Sequence, residues 1–219
     1  FPITGYFNYK FNEKFVIVKE INREGSVNNL IVENNSEHFV FFMDGDVLVG
    51  AKQNRVLNTS VLIAPNSKSK ITVSCIEQGR WKNKSQTFSQ SEYSLPANLR
   101  KSKNINVKDN LKSSKEYYAD QSNLWNQICS YEKVYDYSSN TMDLNELMEA
   151  KRVNFKNFLD DFHIEQNANG LAMFSNDKII NIEVFNKTDI YRVYFKKLIH
   201  SAAMEIFNND ILDNKMQKD

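Results

Sequence analysis

Short runs of β-branched and aromatic residues recur between turn-forming residues throughout residues 1–81. Runs of this kind, separated by Gly, Asn, Asp and Pro, are typical of antiparallel strands joined by hairpins. The runs that predict strands are Lys14–Ile21, Val27–Glu33, His38–Met43, Val56–Ile63 and Lys70–Ile76. We therefore expect the N-terminal half to be an antiparallel β-sandwich or a barrel-like structure.

Apolar residues at helical spacing replace this pattern in the C-terminal half. One stripe runs from Tyr117 to Ile128, a second from Leu144 to Phe162, and a third from Tyr191 to Ile206. Stripes at positions i, i+4 and i+7 predict amphipathic helices whose apolar faces are buried. A Ser or Thr at the end of the preceding loop, Ser139 or Thr141, is placed to cap the second helix.

Residues 82–115 interrupt both patterns. The stretch from Arg80 to Lys115 has nine Lys and Arg against two acidic residues and no clear hydrophobic period, so we expect a long basic connection that covers a site or is mobile. Further on, two short apolar runs within residues 116–210 predict one β-hairpin between helices. This order of elements favours an α+β fold without internal repeats.

The overall composition excludes several classes of protein. The 219 residues, 41% of them hydrophobic, suit a single domain of residues 1–219, and the net charge of +1 gives no support to bulk nucleic acid binding. No apolar run is long enough to cross a membrane, and Cys75 and Cys129 form no disulfide or metal motif. We expect a cytoplasmic protein without a cofactor, although a start at Phe1 leaves a removed leader open.

Two segments, Gly50–Asn58 and Ser74–Trp81, are dense in polar residues of different chemistry. A hairpin folded at Asn66 and Ser67 would pair residues whose numbers sum to about 133, which places Arg55 opposite Gln78. By the same count Asn54 lies opposite Gly79, and Gln53 lies opposite Arg80. We therefore expect the two segments to converge at one end of the sheet.

The side chains of these segments suit a small polar anion. Guanidinium groups match phosphate or carboxylate, and carboxamides can bind hydroxyl groups and the edges of bases or sugars. Glu77 is the single acid in the two segments and is the candidate general base. The candidate ligand-binding residues are Lys52, Gln53, Asn54, Arg55, Asn58, Gln78, Arg80 and Trp81. A nucleotide or sugar phosphate would fit such a site, with no metal involved.

Other interpretations of the same residues stay open. Glu77 could instead form a buried network with Arg55 or Arg80 that fixes the strand ends. Cys75 is a minor candidate for a nucleophile, but its alternation with Ile71 and Val73 favours an inert thiol facing inward. The three histidines lie far from both segments in sequence, which disfavours thiol activation and a zinc site.

The motifs also carry a resemblance to a known family. The run from Asp44 to Ser60, followed by the run from Val73 to Trp81, resembles the bacterial ADP-ribosylglycohydrolase and rhodanese-phosphatase associated protein domain family. The likeness extends to Asp120-Gln121 with Trp125, and to the hairpin that begins at Gly170. One departure is Asp46, where the family pattern has Glu.

The resemblance implies an association with ADP-ribose-processing and phosphatase-like proteins and implies no particular reaction. Two hypotheses follow. In the first, the protein binds a small phosphorylated ligand of nucleotide or ADP-ribose type and could hydrolyse it with Glu77 as base. In the second, the protein is a non-catalytic module that contacts a protein partner, and its polar signature is a buried network. Whether the protein is an enzyme stays open.

Overall fold

A computed structural model describes residues 14–175 and 177–216 of the chain. Within these residues the chain forms eight strands, followed by four helices and a two-stranded hairpin that lies between the third and fourth helices. The strands are β1 (Val16–Glu20), β2 (Asn29–Asn34), β3 (Val40–Phe42), β4 (Asp46–Gly50), β5 (Arg55–Leu57), β6 (Val61–Ile63), β7 (Ser67–Cys75), β8 (Phe88–Ser94), β9 (Gly170–Ser175) and β10 (Lys178–Val184). The helices are α1 (Ala97–Ser114), α2 (Gln121–Val134), α3 (Leu144–Asp160) and α4 (Thr188–Met216).

Six of the strands form a closed antiparallel barrel in the order β1-β2-β7-β5-β4-β8. Inward positions on these strands are apolar, so they fill the barrel with buried side chains. These side chains include those of Val18, Leu30, Leu48, Leu57, Val73 and Phe88. The α+β fold with a barrel-like N-terminal half is therefore confirmed.

The helices cover one outer side of the barrel. Outward residues Val47, Val56 and Ile76 belong to the same buried cluster as Leu124 of α2 and Leu147 of α3. The middle of β4 and the end of β5 are thus buried on both faces, which explains the consecutive apolar residues 47–49 and 56–57 in place of alternation. The hairpin of β9 and β10 packs with α4 in a further buried cluster. The assignment of the chain to a single domain stays a prediction.

The predicted strand over residues 56–63 is wrong, because the chain forms two separate strands there. β5 pairs with β7 in the barrel, whereas β6 pairs with β3 in a separate two-stranded ribbon. Asn58 marks the break. Its side-chain oxygen accepts a hydrogen bond from Ser74 Oγ at 2.8 Å, and its amide donates to the Tyr117 carbonyl at 2.9 Å. These contacts end β5 and direct the chain away from the barrel.

The expectation of a connection without regular structure in residues 82–115 is also wrong. This segment contains β8 and α1. Helix α1 lacks an apolar stripe because its buried face includes Arg100 and Lys103 beside Leu99 and Val107. A hydrophobic period cannot reveal a helix that buries cations.

The start of α3 differs from the expected cap. Asp143, instead of Ser139 or Thr141, is the N-cap residue, and its carboxylate accepts a hydrogen bond from the Asn145 backbone N–H at 2.9 Å. Asp has the same capping ability as Ser and stands directly before the first helical turn. The two predicted cap residues lie just upstream of this position.

Gly50 should be required at the end of β4. Its φ of 123° is unfavourable for other residues, and an added Cβ would lie 2.8 Å from the Thr87 carbonyl oxygen. We expect Gly50→Ala to lower the free energy of unfolding by about 1–3 kcal/mol, measured by urea denaturation. The opposite exchange, Asn66→Gly at a turn with φ of 46°, should change it by less than about 1 kcal/mol. Equal effects of the two substitutions would contradict this assignment.

Candidate functional site

The two polar segments lie side by side, as expected, but in a different register. Arg55 pairs with Cys75, and Val56 pairs with Ser74, so the paired numbers sum to 130 instead of 133. The predicted pairing of Arg55 with Gln78 is therefore wrong. The register differs because β6 leaves the barrel, and the chain between β5 and β7 is not a simple hairpin. Convergence itself is confirmed, since Gln53 Nε2 donates to the Gln78 carbonyl at 3.4 Å.

Glu77 lies at the centre of a buried cluster and is 1% exposed. Its Oε1 accepts hydrogen bonds from Arg80 Nε at 2.6 Å and from Thr141 Oγ1 at 3.1 Å. Its Oε2 accepts from Arg80 Nη2 at 2.6 Å and from the Asn54 backbone N–H at 2.9 Å. A carboxylate has about four lone-pair positions, so these four contacts use its capacity as an acceptor.

The N–H groups of Arg80 also have their hydrogen-bond partners within the protein. Besides its two bonds to Glu77, its Nη1 donates to the carbonyls of Ala51 at 2.5 Å and Lys82 at 2.8 Å, and its Nη2 donates to the Gly50 carbonyl at 3.2 Å. A guanidinium group has five N–H donors. All five have partners in the chain, so the arrangement fastens the loop after β4 to the loop after β7.

Asn54 connects this arrangement to the helical layer. Its side-chain amide donates to Asp143 Oδ2 at 2.8 Å, and its side-chain oxygen accepts from the Gly50 N–H at 2.9 Å. Backbone bonds run alongside, from Leu144 N to the Ile76 carbonyl at 3.0 Å and from Gly79 N to the Thr141 carbonyl at 2.9 Å. We name this group the Glu77 cluster; its members are Asn54, Glu77, Arg80, Thr141 and Asp143.

Sequence reasoning missed the two cluster members that precede α3. Thr141 and Asp143 stand more than 60 positions from Glu77 in the chain, and the sequence pattern indicates for Thr141 only a place near a helix start. The available signal was the Asp directly before an apolar helical stripe. An Asp at this position caps the helix with one carboxylate oxygen, and the sequence does not show what the second oxygen binds. The hydrogen bond between Asp143 and Asn54 therefore could not be inferred.

The pKa values of the two carboxyl groups in the Glu77 cluster are shifted in opposite directions. Burial raises the pKa of Glu77, but hydrogen bonds from Arg80 and the Asn54 N–H outweigh it, so the pKa lies below its ordinary value. Burial raises the pKa of Asp143 to about 6, and repulsion from Glu77 adds to this shift. Glu77 is therefore a weak base, while Asp143 changes charge near neutral pH.

Arg55 lies in a second polar group next to the barrel end. Its guanidinium is completely buried, and its Nη1 donates to Gln53 Oε1 at 2.7 Å and contacts Cys75 Sγ at 2.7 Å. Trp81 and Lys52 cover it, with the Arg55 Cζ and the Lys52 Nζ 5.5 Å and 5.4 Å from the indole ring centre. With Glu20, these residues form what we name the Arg55 corner.

Two buried atoms of the Arg55 corner have no hydrogen-bond partner. These are Arg55 Nε and Glu20 Oε2, one donor and one acceptor. Arg55 Nη2 and Glu20 Oε1 lie 4.0 Å apart. Trp81, which borders them, is 46% exposed. Buried polar atoms without partners are rare and mark a place where a small polar molecule would be stabilised.

Cys75 has the environment of an unreactive thiol. Burial raises its pKa to about 11, against the attraction of the nearby Arg55 charge. Its sulfur lies 3.0 Å from Gln53 Oε1, inside the protein. A nucleophilic cysteine needs a lowered pKa and access to its substrate, and this position supplies neither. Within the described residues, no group of His, Cys, Asp and Glu could hold a metal ion.

Asn58 and Gln78 of the predicted site are not members of the Glu77 cluster, and neither are Asp44 and Asp46, which belong to the run that carries the family resemblance. Asn58 belongs to the junction with Ser74 and Tyr117, and Gln78 is exposed. Asp44 binds Arg100 at 2.7 Å and Asp46 binds Lys197 at 2.8 Å, so neither contacts Glu77. Burial raises the pKa of Asp44, but the bond from Arg100 outweighs it and lowers the value to about 2.

The described structure is thus an α+β protein in which a buried ionic cluster joins a small barrel to a helical layer. A sequence model of the ARG and Rhodanese-Phosphatase-superfamily-associated Protein domain matches residues 8–219, so the chain belongs to that family. No curated protein and no solved structure matched the chain. Among the helices that the structure describes, none combines the length and apolarity needed to cross a membrane.

The Glu77–Arg80 pair should make a large contribution to stability. Replacing Glu77 with Gln places an amide N–H₂ against donors and leaves the Arg80 charge unneutralised. We expect Glu77→Gln to lower the free energy of unfolding by about 3 kcal/mol or more, measured by urea denaturation at pH 7. The control Glu33→Gln, which breaks partly exposed pairs with Lys19 and Lys68, should cost less than about 1 kcal/mol. A loss no larger than the control would contradict the role of the cluster.

The ionisation of Asp143 should make the free energy of unfolding depend on pH. Its pKa is raised from 3.8 to about 6 on folding, so its contribution to stability is complete below pH 3.8 and is lost as pH rises through 6. Relative to Asp143→Asn, the wild-type protein should lose up to about 3 kcal/mol between pH 4 and pH 7. Urea denaturation of both proteins across this range measures the difference. A difference that does not change with pH would show that the Asp143 pKa is not raised.

Proposed function

We propose that this chain is a non-catalytic interaction module and that its polar signature is part of the structural framework. The observation that carries the proposal is the complete internal use of Glu77 and Arg80. Each oxygen of Glu77 accepts two hydrogen bonds, and every guanidinium N–H of Arg80 has a partner within the chain. Neither group keeps a free position for a phosphate or an attacking water.

The acidity of Glu77 supports the same conclusion. A general base works best when its pKa lies near the working pH, and it must reach the proton that it removes. The pKa of Glu77 lies below its ordinary value, and the side chain is 1% exposed. Its properties suit a permanent counter-charge for Arg80 better than proton transfer.

The family description suggests the kind of partner. Its words name proteins of the ARG and rhodanese-phosphatase groups as associates, and we propose that the association includes direct contact with one of them. The described surface has apolar residues that could serve such a contact. Phe174, Ile179, Ile182 and Val184 on the hairpin of β9 and β10 are each more than half exposed.

Binding to candidate partners tests this proposal. An ADP-ribosylglycohydrolase and a rhodanese-phosphatase from the same genome would be purified, and complex formation with this chain measured by size exclusion with light scattering. We expect one of them to form a stable complex. The double variant Ile179→Ser/Ile182→Ser should weaken that complex, whereas the control Val153→Ser, at an exposed position on α3, should not. Absence of any complex at micromolar concentrations would overturn the proposal.

A second candidate function, binding of a small phosphorylated molecule, has one specific observation in its favour. The Arg55 corner contains a buried donor and a buried acceptor without partners beside the half-exposed Trp81. A phosphate oxygen could accept from Arg55 Nε, and a sugar hydroxyl could donate to Glu20 Oε2. In this alternative the Glu77 cluster positions the corner and takes no part in chemistry.

Thermal denaturation with ADP-ribose distinguishes the second candidate. If ADP-ribose occupies the Arg55 corner, millimolar concentrations should raise the melting temperature of the wild-type protein by a few degrees. The rise should disappear in Trp81→Ala, which removes an exposed ring, and persist in the control Tyr117→Ala on the loop before α2. No shift in the wild-type protein would remove the support for this candidate.

A further inference from the structure

A groove of about 610 Å³ lies between helix α1 and strand β10, away from both polar groups described above. One face of α1 forms its first wall, through residues spaced by three or four positions. These residues are Ala97, Arg100, Lys101, Asn104, Ile105 and Lys108. The second wall is the run of five consecutive residues 179–183 of β10.

The edge of β10 faces this groove. Consecutive residues of a regular strand point to opposite faces of the sheet, so the lining of one groove by five residues in a row indicates that the strand edge contributes to it, together with the register shift between Ile179 and Asn181. Within the described residues β10 pairs with β9 alone, which leaves this edge without a strand partner. An edge with free N–H and C=O groups can accept a further strand.

The charged side chains of the groove indicate which residues an added strand would need. Arg100 is neutralised by Asp44 and Glu183, but Lys101 and Lys108 form no ion pair with another described residue and are exposed. The two lysines stand seven positions apart on α1, which is about 10 Å along the helix axis. Side chains on one face of an extended chain recur about every 7 Å, so this span lies between the first and second repeat of such side chains.

The groove also offers an unpaired hydrogen-bond donor and apolar contacts. Asn181 Nδ2 is buried without a partner and belongs to a residue that lines the groove. Ile105 on α1 and Ile182 on β10 are 50% and 55% exposed on the two walls. A ligand that supplies both acceptors and apolar side chains would satisfy these groups together.

We propose that an extended, acidic peptide segment of a partner protein binds in this groove as an additional strand on β10. Its backbone bonds to the free edge, its carboxylates lie near Lys101 and Lys108, and its apolar residues contact Ile105 and Ile182. This inference rests on the proposed function of an interaction module, and it specifies the surface and the kind of sequence that the module recognises.

Fluorescence anisotropy with a defined peptide tests the inference. The probe is a fluorescein-labelled six-residue peptide that alternates glutamate and valine, titrated with the full chain. We expect saturable binding that is at least tenfold weaker in Lys101→Glu/Lys108→Glu. The matched control Lys84→Glu/Lys112→Glu changes two exposed lysines outside the groove and should alter the dissociation constant by less than twofold at 0.15 M salt.

A second variant tests the unpaired amide. Asn181→Leu removes the donor and keeps a similar size, so the melting temperature should stay unchanged or rise while peptide affinity falls. A peptide with lysine in place of glutamate should not bind the wild-type protein. The inference is overturned if the acidic peptide does not bind at millimolar protein, or if the control double variant loses as much affinity as the groove variant.

The outcome also separates this inference from the proposed function. If a partner protein forms a complex that Lys101→Glu/Lys108→Glu leaves intact, the module has a partner but the groove is not its binding surface. If the acidic peptide binds as expected and no ADP-ribosylglycohydrolase or rhodanese-phosphatase associates with the chain, the groove is a peptide site and the assigned partner class is wrong.

Discussion

The ion pair of Glu77 and Arg80 is the interaction on which the arrangement of the barrel end depends. It is buried, and a buried charge pair stabilises a structure only when its remaining hydrogen-bonding positions are also filled. Here the backbone carbonyls after β4 and the backbone N–H of Asn54 fill them. The pair therefore fixes the two loops as well as the two side chains. Through Asn54 and Asp143, the same network sets the position of α3 against the barrel.

The contacts of Glu77 and Arg80 show that a cluster of polar residues in a sequence need not be a ligand-binding site. Arginine, amide and carboxylate residues concentrated in two short segments resemble a ligand site because these groups bind phosphates and sugars. The same groups bind backbone atoms equally well, and a sequence does not reveal which partner they have. Only the count of donors and acceptors in the fold separates the two cases. By that count Glu77 and Arg80 have partners at all their hydrogen-bonding positions, whereas Arg55 Nε and Glu20 Oε2 have none.

The sequence predicted what depends on local pattern and missed what depends on distant partners. Runs of β-branched and aromatic residues between turns predicted the barrel half, and helical stripes predicted α2, α3 and α4. Helix α1 was missed because Lys103 and Arg100 occupy its buried side, where they bind Asn58 and Asp44 from the barrel. The register of β5 and β7 was wrong by three positions because the excursion through β6 depends on pairing with β3. The prediction that the two polar segments converge was nevertheless correct, because a small shift of register between two paired strands leaves the same strand ends next to each other.

The pairing of β1 with β8, which closes the barrel, affects where the barrel can open. Within the part of the chain that the structure describes, β1 and β8 pair at Val18 and Phe88 alone, whereas β2 and β7 pair along six positions. Cooperative opening of a closed sheet starts where the fewest bonds must break. Among the described strands, opening of the barrel should therefore begin between β1 and β8 and expose apolar interior side chains there, while the strands joined to the helices by the Glu77 cluster remain assembled.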